Sequence, residues 1–164
     1  MIAEIGHFAL VLALFAALVQ ASVPMVGAAR GEPRWMALGV PAAIAQFALL
    51  LVAFGALTHA YVTSDFSLRI VAANSNSLKP LIYKISGVWG NHEGSMLLWV
   101  LILALFGSMV ALFGRNLPPT LKARVLSVQA LVALGFLLFI LLTSNPFDRL
   151  FPAPADGRGL NPLL

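Results

Sequence analysis

Trp89-Gly90-Asn91-His92-Glu93-Gly94-Ser95-Met96-Leu97-Leu98-Trp99 is the stretch on which the reading of this chain turns. Two tryptophans, a histidine, a glutamate and two glycines precede or open a long apolar run. Asn91 or Ser95 suits the cap of a helix starting here, and Glu93 suits the positive end of its dipole. Trp89 and Trp99 suit interfacial anchors of a membrane helix. Capping does not call for His92, however, and anchoring does not call for Gly90 or Gly94. Polar groups at membrane depth are costly to keep, so Trp89, His92 and Trp99 are candidates for handling a ligand.

The apolar run is one of four, and composition puts them in a membrane. Of 164 residues, 60% are hydrophobic and 10% charged, against roughly 45–50% and about 25% in soluble domains. The net charge of +4 would suggest nucleic acid in a soluble chain. Here the basic residues sit between apolar runs, where they orient helices, so membrane lipid replaces nucleic acid as the expected surrounding. With no cysteine, the chain has no disulfide, zinc-thiolate cluster or thiol nucleophile of its own.

Residues 5–27 form the first run, long enough at about 1.5 Å per residue to cross a hydrocarbon core of about 30 Å. No Lys or Arg precedes it and it exceeds a signal-peptide core of about 7–15 residues, so it is read as a retained helix. A basic turn, Arg30-Gly31-Glu32-Pro33-Arg34, leads to a second run at 35–62. Trp35 and Tyr61 are its expected interface anchors, and Gln46, Gly55, Thr58 and His59 mark a face packed on other protein. Runs at 94–114 and 123–143 complete the set. The fold expected is all-α: a polytopic membrane bundle of four transmembrane helices, forming the N-terminal part of one larger membrane domain. The connection 63–93 is expected to carry short surface helices, one of them led by Pro80, and Asn74-Ser75-Asn76-Ser77 reads as a turn. Residues 144–164 are rich in Pro, Gly and Asn.

Arg30 and Arg34 in one short connection, and Arg115, Lys122 and Arg124 around the other, predict that both face the cytoplasm. Loop 63–93, segment 144–164 and the N-terminus are then extracytoplasmic. This places His7, His59 and His92 near one membrane boundary. Three imidazoles at one depth suit a metal or a haem iron, or equally three interfacial residues bonded to water and backbone. None has the His-x-x-x-His spacing of a ligand pair, and His92-Glu93 is not a zincin motif. No metal site is assigned.

Several separate motifs, in order along the chain, are similar to one family. They are Ser64-Asp65-Phe66-Ser67, Asn74-Ser75-Asn76, Tyr83-Lys84, the stretch 89–99, Ser144-Asn145-Pro146-Phe147, and Asp156-Gly157-Arg158-Gly159-Leu160-Asn161-Pro162-Leu163-Leu164. Together they resemble the N-terminal region of the cytochrome c maturation protein F (CcmF) family, the haem lyase component of bacterial c-type cytochrome assembly. The resemblance implies a large inner-membrane protein that takes haem from a periplasmic haem chaperone to apocytochrome c, alongside other cytochrome c maturation subunits. It also implies that the family's haem ligands lie beyond residue 164 and that Leu164 is not a natural terminus. No catalytic residue is carried onto this chain.

Residues on the expected outer surface suit that cargo. Trp and Tyr rings can stack on a porphyrin, and Arg69, Lys79 and Lys84 can pair with propionates, although each also fits a lipid headgroup. The competing class is an ion- or proton-translocating transporter or respiratory-chain subunit, which usually carries charges mid-helix. A membrane scaffold is the third reading.

Overall fold

A computed structural model describes residues 1–158; the motif residues 159–164 lie outside the described part. The chain runs through α1 (Ile2–Arg30), α2 (Pro33–Ala37), α3 (Gly39–Val62), α4 (Arg69–Asn74), α5 (Leu81–Gly87), α6 (His92–Phe113) and α7 (Pro119–Thr143). Four segments are long and apolar enough to cross a membrane: Ile2–Arg30, Pro33–Val62, His92–Phe113 and Pro119–Thr143. The protein is a multi-pass membrane helix bundle. Its helices pack in a ring, α1 on α3 and α7, α3 on α6, and α6 on α7.

Small side chains make this packing possible. The buried face of α1 includes Ala3, Gly6, Ala9, Ala13, Ala17 and Ala21, spaced three or four apart, with Leu10 beside them. Lipid tails are as apolar as leucine, so membrane helices associate through close backbone approach rather than hydrophobic collapse. Gly6 shows this: a Cβ there would lie 2.6 Å from the Phe147 ring and 2.7 Å from Ala56. The large apolar residues point the other way. Phe113 is 76% exposed and Leu142 81%, as suits side chains that face lipid. Polar contacts tie the ring at mid-depth. Gln20 Nε2 donates to Leu126 O and Gln129 Oε1, both at 3.0 Å, and Gln129 Nε2 donates to Leu103 O at 3.0 Å.

The element bounds differ from the sequence expectation for local reasons. The second span, expected as one helix over 35–62, is interrupted at Leu38. Pro41 has no N–H to give to the Ala37 carbonyl four residues back, and the helix restarts at Gly39. Helix α7 begins at Pro119 rather than 123, because proline fits a first turn whose N–H groups have no helical partner. Helix α1 extends to Arg30 and is closed by Gly31 in the left-handed region, φ +70°, where a side chain would be strained.

Candidate functional site

One end of the bundle carries the connection 63–91 and the segment 144–158, and these two pieces form a single layer. Arg69 N donates to Asp148 O at 2.9 Å and Leu150 N to Ser67 O at 2.8 Å, flanking an antiparallel bridge between Leu68 and Arg149. Arg149 also bonds Ser67 Oγ and Glu4 of α1. Further on, both oxygens of Asp156 accept from Ser77, from its amide at 2.9 Å and its hydroxyl at 2.7 Å, and Arg158 N donates to Ala72 O at 2.8 Å. These bonds hold the Asp156 carboxyl below the usual carboxylate range. Two motifs 79 residues apart, Asn74-Ser75-Asn76-Ser77 and Asp156-Gly157-Arg158, thus become one contact.

The stretch 89–99 enters this layer through Asn91. Its side-chain oxygen accepts from Gly94 N at 2.7 Å, capping α6. Its Nδ2 reaches the Tyr61 hydroxyl at 2.8 Å and the Gly87 carbonyl at 2.9 Å. Tyr61, read from sequence as an interface anchor, is fully buried and donates to Ile70 O at 3.3 Å. Of the two capping candidates, Asn91 is the cap; the Ser95 hydroxyl bonds back to Trp89 O at 3.1 Å and to Asn91 O. Gly94 has a steric reason as well, since a Cβ there would sit 1.6 Å from the Val88 carbonyl oxygen.

The three candidate residues do not gather at one point. Trp89 is 44% exposed at the α5–α6 connection. His92 is exposed in the first turn of α6, with Nδ1 2.8 Å from Ser144 Oγ and its ring edge-on to Phe139 at 5.9 Å between centroids. Trp99 lies seven residues further on, roughly 10 Å along the axis. There it lines an apolar groove of about 410 Å³ with Ile102, Leu103, Phe106, Val132 and Phe136. Seven residues is close to two turns, so His92 and Trp99 share one face of α6, which meets α7.

The histidines are likewise separate. His7 lies 3.4 Å from Asn145 Nδ2 and edge-on to Phe147, while His59 lines a small cavity with Met1, Thr63 and Asp65. Among the described residues, no three His, Cys, Asp or Glu side chains converge as metal ligands would. His7 and His92 nonetheless address neighbouring residues, Asn145 and Ser144, which the sequence singled out only as a motif. The three basic candidates have protein partners: Arg69 pairs with Asp148 at 3.5 Å, Lys79 donates to Asn74 O at 3.0 Å, and Lys84 to Ser64 Oγ at 2.6 Å. Partial burial pushes the Lys79 ammonium below its usual range.

Comparisons with known proteins match both the sequence and the helical fold of this chain. A family profile described as "Cytochrome C assembly protein" matches residues 89–164, beginning at Trp89. Cytochrome c-type biogenesis protein CycK of Rhizobium meliloti is 63% identical over 164 residues, all of this chain and 24% of the relative. Cytochrome c-type biogenesis protein CcmF of Pseudomonas aeruginosa is 57% identical over 165 residues, all of this chain and 25% of the relative. A solved structure named "Cytochrome c Heme Lyase CcmF" matches with a TM-score of 0.85 and 28% identity, covering 90% of this chain and 25% of that one. The fold is that of a polytopic membrane protein, and its likenesses are to cytochrome c assembly proteins. More narrowly, the chain is similar along its whole length to the cytochrome c-type biogenesis proteins CycK and CcmF. It spans about a quarter of the length of the curated relatives it matches.

Proposed function

We propose that the protein is a membrane component of c-type cytochrome biogenesis that handles haem, delivering it from a periplasmic haem chaperone to apocytochrome c with other maturation subunits. The observation that carries this is the likeness, through nine-tenths of the chain, to a protein named a cytochrome c haem lyase. Lyase activity belongs to the whole protein, and no residue here is given a catalytic role. The basic connections Arg30–Arg34 and Arg115–Arg124 support a cytoplasmic location for their end of the bundle. The layer built from 63–91 and 144–158 then faces the periplasm from the bacterial inner membrane.

The residues present fit a passing contact with haem. His92 has one ring nitrogen held by Ser144, which orients the other, and an oriented imidazole is what a haem iron takes as a ligand. Trp89 offers an exposed ring at the same end of α6, and Trp99 an apolar wall on the same face of the helix. Haem supplies the iron and the vinyl groups of the chemistry; these side chains would orient the ring and shield it from water. The ion-translocating reading has no support, since the charged residues of all four spans lie in their first two turns or their last. Reduced-minus-oxidised spectra of cells carrying the whole protein as their only copy test the proposal. Holocytochrome c must accumulate with the protein and disappear without it. Unchanged cytochrome levels in its absence would overturn the assignment.

A further inference from the structure

The other end of the bundle is basic and concave. Residues 30–36 and 113–124 carry Arg30, Arg34, Arg115, Lys122 and Arg124 against Glu32 as the one acidic residue. Between α2, the start of α3 and the α6–α7 turn lies a cleft of about 360 Å³. Val40 and Leu126 form its apolar floor, and Leu126 is continuous with the small core cluster of Ala43 and Ala111. Arg115, exposed, and Lys122, half-buried, stand on its wall. Lys122 is fixed by one bond, Nζ to Ala111 O at 2.7 Å, which leaves two ammonium hydrogens to donate. Arg30 is engaged elsewhere, 5.6 Å over the Trp35 ring.

We propose that this cleft is a binding site for an anionic phospholipid. Its phosphate sits between Arg115 and Lys122, and its glycerol and first methylenes lie on Val40 and Leu126. A soluble anion would need the charges but not the floor, whereas an uncharged lipid would need the floor but not the charges. The position also selects a lipid. The cleft opens level with the ends of four membrane-crossing helices, at headgroup depth, where each basic side chain attracts anionic lipid by about 1 kcal/mol. The site is at the opposite end from the 63–91 layer and holds whether or not the function proposed above is correct.

Native mass spectrometry of the whole protein in detergent, titrated with phosphatidylglycerol or phosphatidylcholine, tests the site. Phosphatidylglycerol is expected to bind more tightly. Arg115→Gln should weaken it about fivefold, the worth of about 1 kcal/mol, and Arg115→Gln with Lys122→Gln should abolish the preference. Ala37→Trp, at an exposed position on the rim, fills the cleft while leaving every charge in place, and should weaken both lipids. Equal affinity for the two lipids, an unchanged preference in the double variant, or competition by glycerol 1-phosphate as strong as by the lipid would each overturn the proposal.

Discussion

Asn91 Nδ2 donates to the Tyr61 hydroxyl across 2.8 Å, joining the start of α6 to the buried end of α3. Because Asn91 also caps α6 and bonds the Gly87 carbonyl, one side chain fixes where three helices meet. Asn91→Ala is expected to lower thermal stability by more than a lone cap of about 1 kcal/mol, since it also removes the donor to the buried Tyr61 hydroxyl, which keeps only its bond to Ile70 O. Tyr61→Phe should cost about 1 kcal/mol. A double-mutant cycle on thermal unfolding should give a coupling of at least about 0.5 kcal/mol, and strict additivity would refute the joint role.

Gly94→Ala tests the same junction sterically. The new methyl would meet the Val88 carbonyl oxygen at 1.6 Å, a backbone atom with no rotamer to escape through. The chain must open between Val88 and α6, so the protein should be poorly retained in membranes. Gly90→Ala is the control: its nearest neighbour would be 3.5 Å away, and abundance should stay near that of the parent.

The mid-membrane glutamines should respond in opposite directions. Gln20 bonds Leu126 O and Gln129, and interhelical bonds of this kind average about 0.6 kcal/mol, so Gln20→Leu should destabilise mildly. Gln46 is equally buried, yet neither of its amide atoms has a partner among the described residues. Gln46→Leu removes an uncompensated desolvation of about 1–3 kcal/mol and should raise the midpoint of thermal unfolding. A lowered midpoint would show that Gln46 is satisfied.

Four spans and their number were legible because hydropathy over twenty residues is a local property, and a membrane leaves few ways to satisfy the backbone. What links the spans was not. Tyr61 read as an anchor because it ends an apolar run, and only the folding of 63–91 over it, which brings Ile70, Gly87 and Asn91 against it, buries it. Gly94 had no reason in sequence, since the Val88 carbonyl comes near only after the α5–α6 connection folds back. Ser77 and Asp156 were both visible as motif residues, but nothing in a single chain says that positions 79 apart will bond. The interruption at Leu38 was in principle readable from Pro41; the unbroken hydropathy of the segment concealed it.

The Ser77–Asp156 contact predicts a pH response. The Asp156 carboxyl is held below the ordinary value of about 3.9 chiefly by the hydrogen bonds from Ser77, which exist only when 144–158 is docked. That contribution is present above the ordinary value and is lost as pH falls through the lowered one. Spin labels at Ala73 and Ala155, both exposed, should keep one distance from pH 7 to pH 5 and broaden only below about pH 4. Asp156→Asn should broaden the distribution already at pH 7. A transition near neutrality would assign the docking to another group.

The sharpest prediction concerns His92, because packing and haem handling make different demands on it. Its ring meets Phe139 and Ser144 but is exposed, so its removal opens no buried cavity. His92→Ala is therefore expected to leave the abundance of the whole protein nearly unchanged while lowering the yield of c-type cytochrome. Ser144→Ala keeps the imidazole and frees its orientation. If His92 presents a nitrogen to iron, losing that orienting partner should cost about tenfold in delivery, the usual worth of such a bond. Trp89→Phe retains a stacking ring and should cost less than Trp89→Ala, whereas a headgroup anchor that depends on the indole N–H would fail in both. Immunoblots for the protein and haem-stained gels for cytochrome separate the cases. Parallel loss of both signals in His92→Ala would make the residue a packing element, and normal cytochrome in all four variants would leave 89–99 as a capped and anchored helix start.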